Sequence, residues 1–364
     1  MRNLFVLWAV LLPLWLFGQS SDQEKALTKG REAIKLIDDG KYDEAIKLLK
    51  ESQKLDPNNI DYPYELALAY AHKKDYKKSI KILTPLTNHR NVKPIVYQLL
   101  GNSYDHAKQS KKAIETYDEG IKRFPDYPNL YYEKGVAYTT QKEYNKALAS
   151  FEGAIIANPK YPSPYYASAA IFALSTEKVW AVIYGEIFIN LERNSPRTEA
   201  MSKLLYETYR AGIQVKNDTS MTISFTKNYN IVITDSTISD KEGIKLPFAA
   251  IAFEGSLLVS SFMEKNIDMD ALDRIRSRFI DHYYEKGLNE KYPVILFDYQ
   301  KQIKDAGHFE AYNHWLFLAA DEQAFTNWRN QNEEKWKAFV TWYKENPMQL
   351  NKDNFFHATK YIAK

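Results

Sequence analysis

The sequence predicts a mainly α-helical chain in which helix pairs are stacked in series, followed by a mostly helical C-terminal domain. Three observations carry this reading. Residues 34 positions apart repeat their chemistry: Ala33, Ala67, Gly101, Gly135, Ala169 form one column, and Leu36, Tyr70, Tyr104, Tyr138, Phe172, Tyr206 form a second. A third column holds Ala45, Ser79, Ala113, Ala147 and Ala181, and prolines keep the same interval at Pro94, Pro128, Pro162 and Pro196. Repetition at this length marks supersecondary units that bury their apolar faces against neighbouring units.

Composition narrows the function classes. At 364 residues the chain is long enough for two domains. Charged residues make up 26% and the formal charge is only +3, so net charge gives no argument for a nucleic-acid partner. Cysteine is absent. This excludes disulfides, thiolate metal sites, cysteine nucleophiles and a lipid-modified cysteine.

The N-terminus predicts a leader over residues 1–20. Arg2 supplies the positive end, and the uncharged run LFVLWAVLLPLWLF follows it. That run is shorter than the ~20 residues a membrane span needs, and Pro13 interrupts it. A secretory signal peptide cut after Gln19 or Ser20 is expected. The expected location is the periplasm or the exterior of a bacterial envelope, with no transmembrane segment in the mature chain.

Residues 21–213 carry the repeats, each as two helices. In the fourth unit, Tyr131, Gly135 and Tyr138 share one helical face in NLYYEKGVAYTTQ. Gly135 is small so that the partner helix can cross closely. Ala147, Phe151 and Ala154 line the inner face of that partner. Pro159 stops it, because proline cannot continue the backbone ladder; Pro128 opens the unit, where a missing N–H costs little.

This unit resembles the tetratricopeptide repeat family through Tyr131, Gly135, Tyr138, Tyr144, Ala147, Phe151, Ala154 and Pro159. The third unit resembles it through Tyr97, Leu100, Gly101, Tyr104, Ala113, Tyr117, Gly120 and Pro125. The second keeps Leu66, Ala67, Tyr70, Tyr76, Ser79 and Leu83; the first keeps Ala33, Tyr42, Ala45, Leu49 and Pro57. The fifth begins with Tyr165, Ala169 and Phe172 and then departs, with Gly185 where a large residue belongs and Phe188 where a small one does, so irregular packing of its second helix is expected. Residues 197–213 read as a closing helix. The resemblance implies a right-handed α-solenoid of five helix pairs plus that helix, with first helices lining a concave groove.

The resemblance also implies a protein or peptide partner in that groove. The contact residues it picks out are Tyr64, Gln98, Asn102, Asn129, Tyr132 and Tyr166, with Val136 and Ala170 among their groove-facing neighbours. Tyrosines are rigid amphipathic anchors, and the amides can bond a peptide backbone. They can equally serve as packing groups between helices. Groove charges are mostly acidic (Asp38, Asp61, Glu65, Asp105, Glu133), which favours a neutral or basic segment. One subclass of the family grips acidic tails through lysines and asparagines. Here those places hold Gly30, Ile34, Glu65, Asn129 and Glu133, and the match fails. Lysines near the turns, such as Lys73, Lys74, Lys108 and Lys111, read as a solvated face, with anionic surfaces as the other reading.

Past residue 213 the period stops. Two short strands are expected, at 221–226 and 230–234, from β-branched alternation. Residues 246–263, LPFAAIAFEGSLLVSSFM, read as a buried helix, with membrane contact as the alternative. From Met269 the pattern is helical, with a stripe of Leu272, Ile275, Phe279 and Tyr283 and a stop at Gly307. Trp315, Trp328, Trp336 and Trp342 predict an aromatic core, or else an exposed groove for sugar or peptide.

Little catalytic chemistry is legible. Glu310 and His314 stand four apart, but there is no HExxH, no glycine-rich phosphate loop and no GxSxG elbow. No catalytic residue, metal or cofactor is expected. The reading is an exported, non-catalytic scaffold; the alternative is an enzyme or glycan-binding protein with its site in the tryptophan-rich domain, residues 214–364.

Overall fold

The computed structural model describes residues 15–217, 220–227 and 247–361. The expected leader lies largely outside these residues, as does the expected strand at 230–234. The described residues are mainly α-helical and fall into two compact units divided between Pro125 and Asp126.

The first unit consists of antiparallel helix pairs: α1 (Trp15–Asp38) with α2 (Tyr42–Leu55), α3 (Asp61–His72) with α4 (Tyr76–Leu86), and α5 (Pro94–His106) with α6 (Ser110–Arg123). Ala33, Ala45, Leu49, Leu66 and Ala69 are buried among them. The small column works by close approach: a Cβ on Gly101 would stand 2.3 Å from the Tyr117 ring. Each pair is closed by the same turn. Gly40, Lys74 and Lys108 take left-handed φ values of +74°, +62° and +61°. The residue after each donates its N–H back to the Leu36, Tyr70 or Tyr104 carbonyl, which ends the helix and reverses the chain.

The second unit begins with two more pairs, α7 (Pro128–Thr140) with α8 (Tyr144–Ala157) and α9 (Pro162–Ala173) with α10 (Lys178–Leu191), then α11 (Pro196–Gly212). Pro128, Pro162 and Pro196 each stand at the start of a helix, where no N–H is needed. Lys142 repeats the left-handed turn at φ +61°.

α11 leads into a hairpin of β1 (Ile213–Asn217) and β2 (Ser220–Ile223), antiparallel, with Ile213 opposite Ile223. The second of these strands overlaps the expected 221–226 segment. The first occupies a stretch where no strand was expected, because IQVKN is only five residues long and follows directly on a helix.

The apolar segment after Pro247 is a π-helical run, Phe248–Glu254, continued by α12 (Gly255–Ser261). Phe248, Ala249, Ala252, Phe253 and Leu257 are buried, but Ile251, Leu258, Val259, Phe262 and Met263 are exposed, so the segment buries one face rather than all of its length. Glu254 interrupts the apolar run for a reason: its carboxylate accepts the backbone N–H groups of Phe225 and Thr226 at 2.5 and 2.8 Å. Among the described residues no helix is long and apolar enough to cross a membrane.

The remaining helices are α13 (Met269–Glu285), α14 (Leu288–Lys291), α15 (Ile295–Asp305), α16 (Phe309–Phe317), α17 (Glu322–Gln331) and α18 (Glu333–Glu345). Leu272, Ile275, Phe279 and Tyr283 are buried on α13. One hydrophobic core runs from Ile155 to Ala358, so residues on both sides of the pattern change at 213–214 share it.

α10 is the axis of this core. Its residues from Val179 to Asn190 are all buried. A helix that is apolar all round must be covered all round, and this explains the departure of the fifth unit from the repeat pattern. Phe188 packs on Tyr166 of α9, and Gly185 admits Met201 and Leu205 of α11. The C-terminal residues cover the other side: Phe356 lies against Trp180 and Tyr184, with ring centroids 6.0 and 5.2 Å away.

Candidate interaction surface

The candidate contact residues stand on first helices of the repeats, with Tyr64 on α3, Gln98 and Asn102 on α5, Asn129 and Tyr132 on α7, and Tyr166 on α9. All six are half-buried. Their roles differ once their neighbours are seen.

In the first unit, Asn102 Oδ1 accepts a 2.5 Å hydrogen bond from the Tyr117 hydroxyl. Acidity gathers nearby. Burial first, then Asp61 and Asp38, raise the Glu65 carboxyl above its usual value. Lys93 partly offsets this by pairing with Asp61 at 2.6 Å.

In the second unit the tyrosines are packed. Tyr132 meets Phe151 and Tyr161, each at 5.6 Å between ring centroids. Tyr166 meets Phe188 at 5.0 Å, and the Arg197 guanidinium lies 5.5 Å from its ring. Arg197 is itself held by Glu192 and donates to the Ser163 hydroxyl at 3.1 Å. Burial, then Tyr161 and Glu133, raise the Tyr132 phenol. These half-buried rings therefore act in part as packing groups.

Beyond Tyr132 and Tyr166 along the same two helices lies a cavity of about 760 Å³. Val136 and Ala170 line it, together with Leu148 and Phe151 of α8 and Ile171 and Leu174 at the end of α9. Its size falls in the range of ligand pockets. Leu174 is 90% exposed and Tyr144, also on the lining, 47%.

Sequence reading missed the mouth of this cavity, although the repeat register holds its signal. The column 72, 106, 140, 174 reads His, His, Thr, Leu, and the column 42, 76, 110, 144 reads Tyr, Tyr, Ser, Tyr. Tyr42 stacks on His72 at 5.4 Å and Tyr76 on His106 at 5.0 Å. In the last full unit the imidazole is replaced by leucine, and an exposed apolar mouth takes the place of a stacked pair.

The pairing of Glu310 with His314 has another use. The Glu310 carboxylate accepts from the Trp328 indole at 2.9 Å and from Lys335 at 2.7 Å. His314 stacks on Trp328 with centroids 4.3 Å apart and bonds Asp270 at 3.0 Å through Nε2. Among the described residues no group of three or more acidic or histidine side chains could hold a metal ion. Trp328 is buried, and Trp315, Trp336 and Trp342 pack against the core. The tryptophans are thus spent mostly on packing, as the core reading expects.

Comparison with known proteins follows the same lines. Family models described as tetratricopeptide repeat match residues 36–102 and 99–162. Among solved structures, a crystal structure of MamA is 22% identical over 47% of this chain and 93% of its own, with a TM-score of 0.39. PilF of Pseudomonas aeruginosa is 16% identical over 52% of this chain and 86% of its own, at 0.45. YrrB, whose structure is described as a TPR protein with an unusual peptide-binding site, is 14% identical over 51% and 95%, at 0.37. No curated protein matches the chain.

Proposed function

Because residues 36–162 of this chain are tetratricopeptide repeats, we propose that the protein is a non-catalytic scaffold, exported across the inner membrane, that holds a protein or peptide segment along its first helices. The observation that carries this is an asymmetry in the second unit. The second helices are covered by the chain itself: Thr359 bonds Glu152 of α8, and Ala358 and Phe356 meet Tyr184 of α10. The first helices α7 and α9, with the first two turns of α8, keep an open apolar cavity. On this reading residues 21–213 recognise the partner through Tyr64, Gln98, Asn102, Asn129, Tyr132 and Tyr166, and residues 214–364 buttress the stack.

The leader reading of residues 1–20 supports export to the periplasm or beyond, with peripheral attachment to the envelope. The test is affinity capture from the native envelope. Wild type is compared with a Tyr64→Ala, Tyr132→Ala, Tyr166→Ala variant whose circular dichroism matches wild type. A partner lost only in the variant supports the groove; an identical partner list from both removes recognition from it.

A further inference from the structure

We propose that the cavity between α7 and α9 takes an aliphatic or aromatic side chain of an extended protein segment that carries a lysine or arginine beside that anchor. This deepens the groove-binding reading and rests on it.

The walls set the first half of the specificity. Val136, Leu148, Phe151, Ala170, Ile171 and Leu174 offer carbon surface and enclose about 760 Å³. Leu174, at 90% exposure, gains the most from being covered. The matching turns of the first unit carry Tyr–His stacks, so this apolar mouth belongs to one place in the stack.

The rim sets the second half. Thr139 Oγ donates to the Gly135 carbonyl at 2.9 Å, Thr140 Oγ to Ala137 at 2.8 Å and Ser175 Oγ to Phe172 at 2.8 Å. Each of these three hydroxyls has spent its proton on its own helix and meets a ligand only as an acceptor, while Tyr144 and Asn145 on the same lining carry O–H and N–H donors. Among the described residues, Glu177 is the one carboxylate or cation on the lining. It takes hydrogen bonds from the Thr226 hydroxyl and the Lys227 N–H.

A ligand here gains by donating to the three hydroxyl oxygens and to Glu177. Backbone N–H groups and a cationic side chain do so on both banks, since Thr139 and Thr140 end α7 and Ser175 follows α9. A fatty acid or other anionic amphiphile would set its charge against the Glu177 carboxylate.

The experiment is a selection of phage-displayed random twelve-residue peptides on the full chain, followed by titration of the enriched peptides. The expected result is a shared aliphatic or aromatic position next to Lys or Arg. Affinity should fall at least tenfold on replacing that anchor by Ser, on replacing the basic residue by Glu, and in the Leu174→Asp protein. Leu174 is so exposed that this substitution leaves folding intact; Ala170→Trp, which fills the cavity, serves as the second variant.

Enriched peptides without an apolar anchor, unchanged affinity in both variants, or no enrichment overturns the proposal. So does a neutral or cationic lipid found bound to the purified protein and displaced by none of the enriched peptides. If the peptides bind equally to Leu174→Asp yet are lost in the Tyr64, Tyr132, Tyr166 alanine variant, the cavity reading fails and the scaffold reading stands. Retention in that variant as well removes both.

Discussion

Arg276 donates two hydrogen bonds to the Glu186 carboxylate, at 2.6 and 2.9 Å, with both side chains sealed inside the second unit. α13 and α10 are tied together by this pair. The surrounding groups complete it: Gln300 and Tyr312 donate to the same carboxylate at 2.6 and 2.8 Å, and Arg276 also reaches the Tyr209 hydroxyl and Asn313. A buried pair with every partner supplied is costly to break on one side, because the survivor stays charged and dry. Arg276→Met or Glu186→Leu alone should lower unfolding free energy by about 3–5 kcal/mol. Urea denaturation of the two single variants and the double variant checks this. The double variant should recover part of the loss, and strict additivity would contradict the account.

The left-handed turns give a prediction of opposite sign. Lys74, Lys108 and Lys142 hold φ values near +61°, where a side chain is strained and glycine is not. Gly40 fills the equivalent place in the first unit. Replacing one lysine by glycine removes strain but frees the unfolded chain, for a net gain of roughly 0.5–1 kcal/mol. Lys108→Gly should therefore raise the melting temperature, and Gly40→Ala should lower it. A fall with Lys108→Gly would show that the lysine makes a contact worth more than the strain.

Tyr209 provides a pH signature. Burial first, moderated by the Arg276 charge, lifts its phenol from 10 to about 12. A raised phenol means that the folded state holds its proton more tightly than the unfolded state. The stability it contributes is complete below pH 10 and is lost as the pH rises towards 12. Two pH units correspond to about 3 kcal/mol. Tyr209→Phe should flatten the fall in urea midpoint across this interval relative to wild type. Other buried tyrosines such as Tyr184 and Tyr312 are also raised, so the fall should shrink without vanishing.

Close helix crossing at Gly135 is testable by adding one carbon. A Cβ there would stand 2.4 Å from the Phe151 ring, inside any permitted contact. Gly135→Ala should cost about 1–3 kcal/mol as the ring is forced aside. Gly135→Ala with Phe151→Leu should regain part of that loss. The alanine gain in helix propensity works in the other direction and is smaller, so a stabilised Gly135→Ala would refute the packing argument.

What was legible in the sequence depends on how far each signal reaches along the chain. The repeats are local: Gly135 and Phe151, or Tyr42 and His72, lie within one or two helices of each other and recur in register. Their helices, their prolines and their turns could be read directly. Glu186 looks out of place in the apolar stretch VWAVIYGEIFINL because its partner Arg276 lies 90 positions away. Glu254 is similar, since the N–H groups that hold it belong to Phe225 and Thr226. No periodicity reports such pairings, and this kept the C-terminal half obscure. The groove residues came from family resemblance, which points to first helices and says nothing of the cavity mouth. Leu174 needed only a comparison of its own column with His72 and His106.

The measurement that tests the central claim most directly is site-specific photocrosslinking in the native host. A benzoylphenylalanine replaces Leu174 at the cavity mouth in one variant and Val340, 45% exposed on α18, in another. The account requires a defined protein adduct from position 174, absent from position 340, and displaced by a peptide that binds the purified chain. The same adducts from both positions, or none from 174 in folded protein, would contradict recognition at this cavity.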